Sequence, residues 1–90
     1  MSFSDVRFAA LRKLLLDLGF VETTMEETPI THVPAIVFGH AGSGAVFVLR
    51  KYQPQDRVSM MDLVGVRTDL DWRGLLTEER FDAALRKVSA

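Results

Sequence analysis

Few side chains in this chain are suited to chemistry. It has two histidines, His32 and His40, and no cysteine. That composition removes a thiolate nucleophile, a thiolate zinc site and any disulfide together. Histidine is the side chain best placed to take up and return a proton near neutral pH, so His32 and His40 are the candidate general acid–base groups. As metal ligands they would need further partners drawn from dispersed carboxylates, and neither a metal nor another cofactor is expected.

Two apparent motifs do not survive inspection. Gly39 to Gly44 reads GHAGSG, like the start of a phosphate loop, but Ala45-Val46 stand where Lys-Ser/Thr should follow, and a strand comes next instead of a helix. Ser43 lacks the Gly-x-Ser-x-Gly pattern and the strand-to-helix setting of a nucleophile elbow. The carboxylates Asp69 and Asp71, Glu26 and Glu27, and Glu78 and Glu79 are close in sequence, yet helix neighbours one or two apart do not face each other. They read as solvated faces and helix starts. The basic residues are a different matter. Arg50, Lys51 and Arg57 cluster, Arg67 lies further along, and Arg7, Arg12 and Lys13 precede them. Such a patch can meet RNA phosphates, although Asp56, Asp62, Asp69 and Asp71 dilute it.

The frame that positions these residues is a single domain, because ninety residues suit one core. Its net charge of -1 excludes a polycation built for nucleic acid or anionic lipid as a whole. Apolar runs fall far short of the ~20 residues of a membrane span, and the start of the chain lacks signal-peptide features. The expectation is a soluble, cytoplasmic protein with no membrane role.

The stretch Pro34 to Arg50, PAIVFGHAGSGAVFVLR, is the centre of the fold. Two β-branched and aromatic runs, about Val33 to Gly39 and Ala45 to Leu49, flank a Gly42-Ser43-Gly44 turn and predict a hairpin. Before it, Phe8, Leu11, Leu15 and Leu18 recur at helical spacing, which predicts a helix over about Ser4 to Leu18, capped by Ser2 or Ser4 and ended by Gly19. From Phe20 to Thr28 Val21, Thr23 and Met25 alternate with Glu22, Thr24 and Glu26, as in a strand with one wet face ended by Pro29. After the hairpin, Ser59 and Asp62 stand in capping-box spacing ahead of a helix with Leu63, Val66, Leu70 and Val64 on its buried side, closed by Gly74. Thr77 caps a last helix carrying Phe81, Ala84, Leu85 and Val88. The order is α-β-β-β-α-α, an α+β fold with helices on one face of a three-stranded antiparallel meander.

These residues resemble the HicA-like (YcfA-type) family of small bacterial toxins, which share a dsRBD-like fold. The resemblance lies in LLLDLGFVET, Leu14 to Thr23, in Phe38-Gly39-His40, and in Val66-Arg67-Thr68-Asp69-Leu70 ahead of Gly74-Leu75. Tyr52-x-Pro54-x-Asp56-x-Val58 through Asp62-Leu63 looks more like a longer bacterial subgroup. The resemblance implies RNA binding and cleavage by a strand-two histidine, in a toxin–antitoxin pair with a HicB-like antitoxin. The family's histidine stands three residues before the Phe of Phe-x-His, and that position here is Ala35, after Val33-Pro34. His32 would have to replace it through a shifted strand, and His40 matches a second family histidine.

Three readings follow. One is a non-catalytic or weakly catalytic HicA-like domain that binds RNA, through Arg50, Lys51, Arg57 and Arg67, or a protein partner. Another is an active mRNA interferase, an endoribonuclease using His32 or His40. The last is an interaction module without a nucleic-acid role, working as a homodimer through an apolar sheet face. Both hairpin strands are apolar on two sides, and the second side is met either by a partner or by the last helix wrapping round.

Overall fold

The computed structural model describes residues 6–25 and 34–89. The elements run α1 (Phe8–Asp17), β1 (Val21–Met25), β2 (Ala35–His40), β3 (Ala45–Arg50), α2 (Met60–Trp72) and α3 (Glu78–Ser89). The strands form one antiparallel sheet in the order β1-β2-β3, so the expected α+β architecture and its α-β-β-β-α-α order are those of the protein.

Helix α1 begins at Phe8, later than helical spacing alone suggests, and its N-cap Arg7 makes no side-chain cap. The free amides at its start are satisfied from elsewhere in the chain. Phe8 N–H donates to the Asp56 carbonyl at 2.8 Å and Ala9 N–H to that of Pro54 at 3.0 Å. Arg7 is extended and bridges Arg57, so the 54–58 loop holds the start of the helix. Ser2, Ser4 and Asp5 lie outside the described residues. At the other end Gly19 takes φ +98°, and Phe20 N–H closes on the Leu15 carbonyl at 3.0 Å.

Strand β1 does not keep the single wet face that its alternation predicts. Val21 is 67% exposed, whereas Glu22 pairs with Phe38 in register and its carboxylate meets Arg12 of α1 at 2.8 Å. The strand edge lets a long acidic side chain reach solvent and a cation from the helix side. Val21 and Thr23 face solvent, and so does Thr24 on the Glu22 side, so β1 is wet on both faces.

Helix α2 keeps Leu63, Val66 and Leu70 buried, but Val64 is 42% exposed. At 100° per residue Val64 falls off the stripe that the other three define. Ser59 caps this helix, accepting the Asp62 N–H at 3.2 Å. Gly74, at φ +73°, ends it as expected. Thr77 accepts the Arg80 N–H at 3.2 Å at the start of α3, whose Phe81 and Leu85 are fully buried.

The core is one cluster between the helices and one face of the sheet, with Phe38, Leu11, Leu15, Leu63, Leu70, Phe81 and Leu85 at its centre. Helix α3 packs on α1 and α2. It does not wrap round to the far side of the sheet.

Candidate binding surface

His40 is the last residue of β2, and the hairpin turn uses its side chain. Its Nδ1 accepts the Ser43 N–H at 3.1 Å and lies 2.9 Å from Ser43 Oγ, which in turn accepts the Ala45 N–H at 3.2 Å. An Nδ1 that accepts a backbone N–H places the ring proton of the neutral imidazole on Nε2. The ring packs tilted against Phe20, with centroids 5.0 Å apart, and its Nε2 side lies over Gly19, where a Cβ would be 3.7 Å away. His40 thus fastens the turn to the corner between α1 and β1. Among the described residues no group of three His, Cys, Asp or Glu side chains gathers to hold a metal ion. His32 lies outside the described residues.

Ala35 opens β2 between Met25 and Arg50 and is buried. It has no group that can carry a proton.

The basic residues separate into two sets. Arg67 spans from α2 to α3: Nε and Nη2 meet the Asp82 carboxylate at 2.9 and 3.1 Å, and Nη1 meets Glu78 at 2.7 Å. The hydrogen bonds to Asp82 raise its pKa above the ordinary guanidinium value; burial opposes this, and the Asp82, Glu78 and Asp71 charges support it. Arg12 is raised in the same direction by its hydrogen bond to Glu22. These guanidinium groups tie elements together. Arg7, Arg50, Lys51 and Arg57 are exposed, and Arg7 Nη1 donates to the Gln55 carbonyl at 3.2 Å. The Arg50 guanidinium lies 5.9 Å from the Tyr52 ring centroid, Tyr52 stacks on Phe8 at 5.5 Å, and Arg7 bridges Arg57. Of the four residues expected to meet RNA, Arg50, Lys51 and Arg57 are exposed, and Arg67 sits in an interhelical ion pair.

The surface with the clearest shape is the far face of the sheet. Register places Val21, Gly39 and Val46 in one row across the three strands and Thr23, Val37 and Val48 in the next. Val21, Val46 and Val48 are 67%, 58% and 64% exposed. Gly39 has no side chain, and with no atom within 4 Å of a Cβ built on it, the valines flank an open hollow of about 380 Å³. The two-sided apolar character of the hairpin strands foreshadowed this surface, and the pairing register shows which side is open.

Comparison with family models, curated proteins and solved structures finds no match for this chain.

Proposed function

We propose that the chain is a non-catalytic HicA-like binding domain that meets a HicB-like protein partner through the open face of its sheet. The observation that carries this reading is the double row of Val21, Gly39 and Val46 and of Thr23, Val37 and Val48, whose edge valines Val21, Val46 and Val48 are exposed. Contiguous exposed apolar surface on a small domain marks an interaction site. The hollow over Gly39 suits an apolar side chain of the partner. Ala35 lacks the imidazole of the family position, and His40 is engaged in the turn. Both support binding over catalysis.

The test is calorimetric titration with a HicB-like protein encoded beside this chain, together with incubation of the purified chain with RNA. Binding with a negative heat-capacity change, weakened about tenfold or more by Val21→Lys, is expected, with the RNA left intact. RNA cleavage that His40→Ala abolishes would restore the endoribonuclease reading.

A second reading rests on the exposed basic residues. Arg50, Lys51 and Arg57 are exposed, with Arg50 against the Tyr52 ring that stacks on Phe8, and exposed cations suit RNA phosphates. Its mark is an RNA affinity that falls as salt rises and drops with Arg50→Ala; affinity unchanged by salt counts against it.

A further inference from the structure

Strand β3 lies at the edge of the sheet, so alternate backbone N–H and C=O groups along it point away from β2 with no strand to receive them among the described residues. Edge strands are normally guarded by a charge, a proline or a bulge. This one carries a charge only at its last residue, Arg50; from Ala45 to Leu49 it reads AVFVL, with no charge or proline, and its register is unbroken by a bulge. The opposite edge, β1, is guarded: its Glu22 and Thr24 are polar, and Glu22 pairs with Arg12. Beside β3 runs an open groove of about 210 Å³, floored by the consecutive residues Val46 to Leu49 and walled by Met61, Asp62, Gly65 and Val66 of α2, with the Asp62 carboxylate held by the Tyr52 hydroxyl. Four consecutive strand residues line one groove only where it follows the strand's edge, since successive side chains point to opposite faces. Met61 is 85% exposed and Gly65 has nothing within 4 Å of a built Cβ, so the groove has room.

We infer that β3 pairs antiparallel with β3 of a second copy of this chain, joining two three-stranded sheets into one of six strands. The inference rests on the reading above that the uncovered apolar surface binds protein, and it names the occupant of that surface's β3 border. Sequence symmetry selects the occupant. Val46-Phe47-Val48 is the same in both directions about Phe47. A twofold axis at Phe47 therefore sets Phe47 opposite its own copy, Val46 opposite Val48, and Ala45 opposite Leu49. Aromatic and β-branched cross-strand pairs of this kind are the stabilising unit of a sheet. The same register leaves Arg50 opposite Gly44, so the cations of the two copies sit at opposite ends of the paired stretch. Moving the axis to Val48 would place Val46 against Arg50 and lose the apolar match. The valines of the open face continue across the junction, and each copy's Met61 and Gly65 flank the incoming strand.

Sedimentation velocity over a concentration series tests this, with Gly65→Glu and Val21→Lys beside the native chain. Gly65→Glu places a carboxylate in the groove at a position with space for it, and circular dichroism confirms that the variant is folded. The expected result is a native dimer, self-association weakened about tenfold or more by the two like charges of Gly65→Glu, and no change with Val21→Lys, which lies on the far strand. In a mixed sample of isotope-labelled and unlabelled chains, filtered spectra should show Val46 methyls of one copy against Val48 methyls of the other. A chain that stays monomeric while still binding a HicB-like protein overturns the self-pairing and leaves the open-face reading standing. A dimer indifferent to Gly65→Glu and lost with Val21→Lys overturns it too, because the copies would then meet face to face. A monomer that also binds no HicB-like protein overturns both.

Discussion

Asp62 is one methylene shorter than the glutamate that usually reaches back to an N-cap amide, and Tyr52 spans the difference. The Ser59 N–H donates to the Tyr52 hydroxyl at 3.1 Å, and that hydroxyl donates to Asp62 Oδ2 at 2.6 Å. The Ser59 side chain accepts the Asp62 N–H, so the box is closed by three residues in place of two. The phenol ring meanwhile stacks on Phe8 at 5.5 Å, joining the start of α2 to the start of α1. Tyr52→Phe keeps the stack and removes the relay. It should cost about 1–3 kcal/mol in urea unfolding, because a backbone donor and a carboxylate both lose their partner. A variant as stable as the native chain would mean that water replaces the hydroxyl without loss. The Ser59–Asp62 spacing was legible in the sequence. Tyr52 was not, because ten residues of chain separate it from Asp62 and only the folded loop brings them together.

At the scale of elements, periodicity located the helices and β1, β-branched runs around a glycine turn located β2 and β3, and tertiary contacts set the start of α1. The apolar stripe of α1 extends through Phe8, but its N-terminal amides are received by Pro54 and Asp56, a partner that no local pattern encodes. The orientation of β1 escaped sequence reading for a related reason. In this five-residue strand Val21, Thr23 and Thr24 are exposed on both faces, and the Arg12 cation of α1, ten residues away from Glu22, holds that carboxylate against the helix. The hairpin turn is different, since its chemistry is local. His40 and Ser43 bond within it, and Gly44 has φ +74°. Gly44→Ala should therefore destabilise the chain by about 1 kcal/mol or more, since an L-residue pays for the left-handed region. Gly39→Ala, in the adjoining strand with no atom within 4 Å of the new methyl, should change stability by less than about 0.5 kcal/mol. Urea midpoints of the two variants check this directly. Equal losses would point to the strand's packing instead of the turn's backbone.

For the whole molecule, the open question that two apolar hairpin strands pose is which of their faces water reaches. Leu49 and Val48 are successive residues of β3 with opposite fates: Leu49 is 5% exposed within the core, and Val48 is 64% exposed on the far face. Hydrophobicity does not distinguish them, and neither does β-propensity. The distinction comes from all three helices stacking on one side, with Arg67 tying α3 to α2 through Asp82 and Glu78. That arrangement makes a paired experiment decisive. At a concentration where the chain is monomeric, Leu49→Ala should cost about 2–5 kcal/mol, the usual loss for truncating a buried leucine. Val48→Lys should stay within about 0.5 kcal/mol, since an exposed position tolerates a charge, and lysine's stem still lies along its apolar neighbours. The same Val48→Lys variant should nonetheless lose association, because the charge must be desolvated when a partner arrives. Stability retained and binding lost in one variant is the signature of a surface kept apolar for contact. If Val48→Lys unfolds the chain as readily as Leu49→Ala, that face is part of the core, and both the partner surface and the β3 pairing fall with it.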